Sequence, residues 1–191
     1  ELGSPAYKVI QAGAKVLGNN KDGIDFSLED DYYGDTRFHI PFIAWYQVMN
    51  ASLALTTMEV LKDRIPVTME QLQAGIANTR WQGRMETILP GVIVDGAHNE
   101  DGVRRFVETA ERFQKEYPLT LLFSAVNDKD YQDMIHTICS RIKFRKVVTT
   151  EVGGYREVPS AELAEIFCKV GCKDIGNSDN IEEAFHMALE A

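Results

Sequence analysis

No long apolar run occurs anywhere in the sequence. None of its segments reaches the roughly 18 consecutive apolar residues that are needed to cross a bilayer. The first residues, Glu1-Leu2-Gly3-Ser4-Pro5, lack the basic start and the apolar stretch of a secretory signal. The sequence therefore predicts a cytoplasmic protein without a membrane partner.

Basic residues are outnumbered as well, with 20 Lys and Arg against 29 Asp and Glu and a formal net charge of −9. Such an acidic surface repels phosphate backbones, which argues against nucleic acid as the main partner. A single phosphate could still bind at an arginine or at the start of a helix.

Cysteine is scarce, and the three residues are Cys139, Cys168 and Cys172. Their odd number and the lack of a secretory signal argue against a disulfide framework. The Cys168-x3-Cys172 spacing followed by His186 could also suggest a metal site, but Cys168 falls on the apolar face of a predicted helix. We predict buried structural thiols and no metal site.

A phosphate-binding loop is missing too. Gly13 and Gly18 have the glycine spacing of Gly-x4-Gly-Lys-Ser/Thr, but Asn19-Asn20 stands where Lys-Ser/Thr is required. Without the lysine there is no charge for the β- and γ-phosphates, and without the hydroxyl there is no Mg²⁺ ligand. The sequence therefore contains no P-loop.

Strands and helices alternate from residue 85 onward. This alternation predicts βαβ units and a mainly parallel sheet, and thus an α/β fold. The strand-like runs are Val92–Val94, Thr120–Val126 and Lys146–Thr150, with a short edge strand at Lys173–Ile175. The predicted helices cover about residues 100–117, 130–143, 160–170 and 181–190.

Residues 1–78 have a different pattern. Extended segments at Lys8–Ile10, Gly23–Ser27 and Thr36–Ile40 precede two helices, one over Ala44–Lys62 and one capped by Thr68 that ends near Ala77. This part shows no complete core pattern of its own. The core-facing stripe predicted for the first helix is Ala51, Ala54, Leu55, Met58 and Leu61.

Polar residues crowd the junction Asp95-Gly96-Ala97-His98-Asn99, between a predicted buried strand at Ile88–Val94 and a helix. Open α/β sheets bind ligands at such strand ends. Asp95 could accept hydrogen bonds from ribose hydroxyls, while the helix start and His98 face anionic oxygens. The alternative is that Asp95 or Asn99 simply caps the helix.

The next strand ends on Asn127-Asp128-Lys129-Asp130. Lys129 could bind a carboxylate of a small acidic substrate, with Asp128 or Asp130 receiving an ammonium group. A polar turn with a helix cap is the alternative. The sequence predicts that this strand end and Asp95–Asn99 share one edge of the sheet and define one cleft.

Two further features could serve a nucleotide. Arg84, after Trp81-Gln82-Gly83, could donate a bidentate pair to a phosphate, although a solvated surface charge is the alternative. Gln47 and Asn50 lie on one helix face at i and i+3 and could read an adenine edge. A structural hydrogen bond would satisfy Asn50 equally well.

These motifs together resemble the folylpolyglutamate synthase family, including its bifunctional dihydrofolate synthase form, within the Mur-ligase-like ATP-dependent amide ligases. Four segments carry the resemblance, in the family's order and spacing. They are Gln47-x2-Asn50-Ala51, Trp81-Gln82-Gly83-Arg84-Met85-Glu86, Asp95-Gly96-Ala97-His98-Asn99 and Asp128-Lys129-Asp130.

The resemblance implies a role for each residue. Asn50 would contact adenine, Asp95 the ribose, and Arg84 and His98 the ATP phosphates, which makes these last two catalytic. Lys129 would lie near the incoming L-glutamate, with Asn99 and Asp128 also on the substrate side. The implied reaction uses ATP and Mg²⁺ to convert a carboxylate of folate or dihydropteroate to an acyl phosphate, which glutamate attacks. A monomer is expected.

The chain also departs from the family pattern, with Tyr46 in place of its usual His and Ala44 in place of its Gly. Residues 1–78 then resemble the C-terminal part of a central ATP-binding domain, and residues 80–191 a Rossmann-like C-terminal domain. The P-loop and the metal ligands are expected before residue 1, so we expect the fragment alone to be inactive. Another Mur-type ligase, acting on UDP-MurNAc peptides, and a Rossmann-like binding module without chemistry are the rival hypotheses.

Overall fold

The computed structural model describes residues 13–20 and 22–191. The chain divides into two compact units, an N-terminal unit ending at Asp95 and a C-terminal unit beginning at Gly96. The predicted strand at Lys8–Ile10 lies outside the described residues, and the domain boundary near residue 79 stays a prediction. No helix in the described part is long and apolar enough to cross a membrane.

The N-terminal unit contains a small antiparallel sheet followed by two helices and a hairpin. The sheet has the order β1-β2-β3 and is built from adjacent strands of the chain. The elements are β1 (Ala14–Asn20), β2 (Gly23–Leu28), β3 (Phe38–Ile40), α1 (Tyr46–Val60), α2 (Met69–Ala77), β4 (Glu86–Leu89) and β5 (Val92–Val94).

This unit has its own core, so the expectation that it shows no complete core pattern was wrong. Ile24 and Phe26 of β2 pack with Phe38 of β3, and α1 contributes Val48 and Leu55 to the same cluster. The strands were too short and too polar in part for the sequence pattern to reveal a common face. Sheet and helix together bury what neither can bury alone.

The predicted stripe of α1 needs one correction, because Ala54 is exposed. Ala51 and Leu55 are buried as predicted, and Val48 and Ser52 join them. The buried face is therefore rotated away from Ala54. Ser52 can lie on it because its hydroxyl donates to the Val48 carbonyl at 2.7 Å.

Helix α2 starts as the sequence predicts. The Thr68 side chain accepts from the Gln71 N–H, and the Gln71 side chain accepts from the Thr68 N–H, at 3.3 and 2.9 Å. This reciprocal capping box satisfies two N–H groups that a helix start leaves without partners.

The C-terminal unit confirms the predicted α/β alternation and the mainly parallel sheet. Three parallel strands have the order β6-β7-β8, and helices alternate with them. The elements are α3 (Glu100–Gln114), β6 (Leu119–Phe123), α4 (Tyr131–Arg141), β7 (Phe144–Thr149), α5 (Ser160–Lys169), β8 (Ile175–Asn177) and α6 (Ile181–Leu189). The predicted short edge strand therefore exists and begins at Ile175.

The predicted buried strand over Ile88–Val94 was wrong. Pro90-Gly91 form a turn, and Gly91 has a φ of 80°, so the segment folds into the antiparallel hairpin β4-β5. Ile88, Leu89 and Val94 remain 47%, 48% and 39% exposed. β5 pairs with β4 and β6 pairs with β7, so the two polar strand ends belong to different sheets, and the expectation that they share one edge of a sheet was wrong. The common cleft stays a prediction.

The cysteines are less buried than predicted. Cys168 is exposed, while Cys139 and Cys172 are partly buried. Helix α5 buries Ser160, Leu163 and Phe167, which lie on one face at helical spacing. Cys168 is the next residue after Phe167, so its side chain points away from that buried face. Within the described residues no group of three or more His, Cys, Asp or Glu could hold a metal ion.

Two glycine substitutions should change stability in opposite directions. Gly23 has a φ of 146°, and a Cβ there would collide with the Ile40 carbonyl oxygen, whereas a Cβ at Gly75 of α2 meets no atom within 4 Å. We expect Gly23→Ala to lower the free energy of unfolding by about 2 kcal/mol or more. Gly75→Ala should raise it by about 0.5–1 kcal/mol, because alanine favours the helix. Urea unfolding followed by circular dichroism measures both, and equal effects of the two changes would contradict the strand pairing.

Candidate active site

The turn around Arg84 is held by two carboxylates. The Gly83 N–H donates to Glu86 Oε2 at 2.7 Å, and the Met85 N–H donates to Asp95 Oδ2 at 2.9 Å. Met85 has a φ of 49° and a side chain that is 4% exposed, so burial offsets a backbone conformation that residues other than glycine seldom adopt. Arg84 is thereby fixed between two anchored N–H groups, with its side chain partly buried.

Tyr46, the first residue of α1, points its hydroxyl at the same carboxylate. The Tyr46 hydroxyl donates to Asp95 Oδ2 at 3.3 Å. Burial, together with the charge of Asp95 and this hydrogen bond, raises the pKa of Tyr46 to about 12, and the nearby Arg84 opposes the shift. The structure therefore brings Tyr46, Arg84 and Asp95 together, and Asp95 anchors the arginine turn.

Asn99 caps helix α3. Its Oδ1 accepts from the Gly102 N–H at 2.8 Å, and its backbone is extended as an N-cap residue requires. Of the two capping alternatives weighed for this motif, the Asn99 one is therefore confirmed. Its role on the substrate side stays a prediction.

His98 precedes that cap and is exposed. Its Nδ1 lies 2.8 Å from the Gly96 carbonyl oxygen. Because a carbonyl only accepts, Nδ1 carries the hydrogen, and Nε2 remains for another partner. A neutral imidazole would offer an acceptor at Nε2, so only the protonated ring could donate to a phosphate there.

The amide pair on α1 is satisfied internally. Asn50 Nδ2 donates to Gln47 Oε1 at 2.7 Å, with Gln47 buried and Asn50 exposed. The structural hydrogen bond that was weighed as the alternative therefore exists. It uses one of the two Asn50 amide hydrogens, so an adenine contact through Oδ1 and the other hydrogen is compatible with it.

The strand end after β6 is shaped by an arginine that sequence reasoning missed. Arg156 donates to Asp128 Oδ2 at 3.0 Å, and its carbonyl accepts from the Asn127 N–H at 2.7 Å. Asp130 accepts from the Asp133 N–H and caps α4. Lys129, which stands between Asp128 and Asp130 in the sequence, is partly buried. The position of Arg156 in the sequence could have indicated its role, because it lies in the loop that follows β7, the strand next to β6 in the parallel sheet.

A buried polar network fixes the far end of that loop. The Ser160 hydroxyl donates to Asp179 at 2.6 Å, and the Thr149 hydroxyl donates to the Ser160 carbonyl at 2.8 Å. Ser160 and Thr149 are fully buried. The loop that carries Arg156 is therefore tied to β7 at one end and to the start of α5 at the other.

A family model described as "Mur ligase, glutamate ligase domain" matches residues 83–191, which is more than half of the chain. The chain therefore belongs to the Mur ligase family. Within it, the dihydrofolate synthase/folylpolyglutamate synthase of Bacillus subtilis is 36% identical over 126 residues, covering 62% of this chain and 29% of that protein. The resemblance found in the motifs is thereby confirmed.

Solved structures extend the likeness in fold to nearly the whole chain. A Mycobacterium tuberculosis folylpolyglutamate synthase complexed with ADP and AMPPCP matches 94% of this chain with a TM-score of 0.78 at 23% identity. The chain spans 41% of that protein's length.

A UDP-N-acetylmuramoyl-L-alanyl-D-glutamate–2,6-diaminopimelate ligase of Caldanaerobacter subterraneus is also similar in sequence, at 25% identity over 122 residues, which cover 61% of this chain and 24% of that ligase.

Tyr46 should titrate well above an ordinary tyrosine. Folded Tyr46 holds its proton up to about pH 12, against 10.0 for an unperturbed side chain, so its stabilising effect is complete below pH 10 and is lost as the pH rises through 12. The difference in absorbance titration between the wild type and Tyr46→Phe isolates this group. Asp95→Asn should lower its pKa, because the charge is removed. Titration of Tyr46 near pH 10 in the wild type would contradict the pairing.

Proposed function

We propose that the chain is part of an ATP-dependent ligase that adds L-glutamate to a folate or to dihydropteroate. The observation that carries the proposal is the match of residues 83–191 to the glutamate ligase domain of the Mur ligases. The similarity to the Bacillus subtilis enzyme favours a pterin-linked substrate within that family. Ligation by these 191 residues alone is not expected, since they contain no P-loop lysine.

In this proposal the residues that the family motifs assign to the nucleotide are Arg84, Asp95, His98 and Asn50. Arg84 would donate to the ATP phosphates, Asp95 would accept from a ribose hydroxyl, and His98 would contact a phosphate oxygen. The anchored turn supports this, because the N–H groups on both sides of Arg84 are hydrogen-bonded and fix the backbone from which the guanidinium extends. Asn50 would contact adenine through the amide atoms that Gln47 leaves available.

The turn after β6 would serve the amino acid. The Lys129 ammonium would attract a glutamate carboxylate, while Asp128, already paired with Arg156, would lie beside the amino group. ATP would supply the phosphoryl group that activates the folate carboxylate as an acyl phosphate, with Mg²⁺ held outside the described residues. The contribution of this chain would be to position the glutamate amine for attack and to stabilise the charges around it.

Removal of the Arg84 guanidinium should weaken nucleotide binding. In the ligase to which we assign this chain, Arg84→Ala should lower ATP affinity about 10- to 100-fold, because charge-assisted hydrogen bonds to the phosphates are lost. Arg64→Ala is the matched control, since Arg64 is an exposed arginine in the turn after α1. Calorimetric titration with ATP measures both variants. Equal ATP affinities of Arg84→Ala and Arg64→Ala would contradict a phosphate contact by Arg84.

A second candidate is a Mur-type ligase that acts on a UDP-MurNAc peptide. The similarity to the Caldanaerobacter subterraneus ligase favours it, although at lower identity than the folate enzymes. The amino-acid substrate separates the two proposals, because the folate ligase takes glutamate and the name of that relative specifies diaminopimelate. A Rossmann-like binding module without chemistry would use neither.

Lys129 provides the corresponding test on the amino-acid side. Lys129→Met keeps the apolar stem and removes the charge, so we expect the KM for L-glutamate to rise about tenfold or more while ATP affinity is unchanged. Lys169→Met is the control, because the Lys169 side chain is 74% exposed and forms an ion pair with Glu165 of its own helix. Steady-state ligation assays with glutamate and with diaminopimelate decide the case. An unchanged KM for glutamate, or turnover of diaminopimelate alone, would contradict the folate assignment.

A further inference from the structure

Two cysteines from different parts of the C-terminal unit meet side by side. Cys139 lies on α4, Cys172 follows α5, and their Sγ atoms are 3.6 Å apart. Both thiols pack against the core of this unit without being completely buried. Neither residue belongs to the motifs that support the proposed ligase function.

The end of α5 fixes the backbone of Cys172. Gly171 has a φ of 100°, its N–H donates to the Cys168 carbonyl, and the Cys172 N–H donates to the Phe167 carbonyl at 3.1 Å. This pair of bonds is the Schellman arrangement that ends many helices. These hydrogen bonds fix the backbone of Cys172, so its thiol lies at a defined position beside Cys139 of α4.

We propose that Cys139 and Cys172 form a redox-sensitive dithiol, which a hydroperoxide converts to an intramolecular disulfide. The sulfurs are 3.6 Å apart and need to approach by about 1.6 Å to reach the length of a disulfide bond. The disulfide would close a loop that contains β7 and α5. It would join elements that already pack together in the reduced protein.

The chemistry balances with a hydroperoxide as the oxidant. The Cys172 thiolate attacks one peroxide oxygen and the O–O bond breaks, which gives a sulfenic acid and a leaving hydroxide (alkoxide for an organic hydroperoxide) that takes up the proton released by the thiol. The Cys139 thiolate then attacks that sulfur, the S–O bond breaks, and the leaving hydroxide takes the proton of the second thiol to become water, so two electrons pass from the two thiols to the peroxide. Cys172 lines a surface groove together with Cys168, which gives a small oxidant access to it.

The order of the two steps follows from the surroundings of Cys139. Burial, and the neighbouring Cys172 through its charge and a hydrogen bond, raise the pKa of Cys139 to about 12. Cys139 is therefore a poor first nucleophile. Conversion of Cys172 to a neutral sulfenic acid removes its contribution, so Cys139 becomes easier to deprotonate when it has to resolve the intermediate.

The disulfide would lie away from the proposed substrate residues of this unit. Cys139 is the ninth residue of α4, about 12 Å along the helix from the turn that contains Lys129. Cys172 likewise follows the end of α5, whereas the Arg156 loop precedes its start. Oxidation is therefore expected to link the end of α5 covalently to α4 and to leave the charged side chains of the proposed substrate residues unchanged.

The test is oxidation of the 191-residue chain with hydrogen peroxide, followed by thiol titration in denaturant and peptide mapping without reductant. We expect the three free thiols to fall to one, the intact mass to drop by two hydrogen atoms, and a Cys139–Cys172 peptide pair that dithiothreitol separates. Cys168→Ser should still form this pair. Cys139→Ser and Cys172→Ser should each fail to form it.

Three results would overturn the proposal. They are a disulfide that includes Cys168, covalent dimers in place of the internal bond, and sulfinic acid formation without any Cys139–Cys172 pair. Cys139→Ser and Cys172→Ser change one atom each, and circular dichroism of the reduced proteins confirms that they fold. The readout is a mapped bond, so it does not depend on whether the chain takes part in glutamate ligation.

Discussion

The carboxylate of Asp95 is the group on which the geometry of the arginine turn depends. It accepts from the Met85 N–H and from the Tyr46 hydroxyl, so one side chain connects the end of β5, the arginine turn and the start of α1. The Met85 backbone is held in a left-handed conformation that costs about 1–3 kcal/mol at a residue other than glycine. The hydrogen bond to Asp95 and the burial of the Met85 side chain are the observed interactions that offset this cost.

This dual attachment changes how Asp95 can be read in the family motif. A ribose contact and a helix cap were the two roles that the sequence suggested, and the structure adds a third, in which the carboxylate positions Arg84. A carboxylate has two oxygens with about four acceptor sites, so positioning the arginine turn and contacting a ribose do not exclude each other. The Tyr46 hydroxyl is therefore part of the surroundings of the Asp95 carboxylate.

Local signals were predicted well from the sequence. The Thr68 capping box and the helices of the C-terminal unit depend on neighbouring residues, and each formed where the pattern indicated. The hairpin at Pro90-Gly91 was missed because its apolar residues outweighed a two-residue turn signal. Arg156 was missed for a different reason, since it meets Asp128 only through the pairing of two loops that lie 28 residues apart. Such tertiary contacts leave no local periodicity.

Helix capping and ligand binding were alternatives for the polar residues at both strand ends. In the structure, the observed caps and the predicted ligand-binding groups are neighbouring residues. Asn99 and Asp130 each give a side-chain oxygen to the start of their own helix, and in each case the preceding residue carries the basic group, His98 or Lys129. The cap fixes the backbone at that point, so the neighbouring side chain leaves from a defined position beside a helix start. Helix starts favour negative charge, and a basic group there adds to that preference. The two caps therefore fix the backbone beside His98 and Lys129, but they also occupy helix-start N–H groups that an anion would otherwise contact. Any attraction for a phosphate or a carboxylate at these points would come from the His98 and Lys129 side chains, whose roles stay predictions.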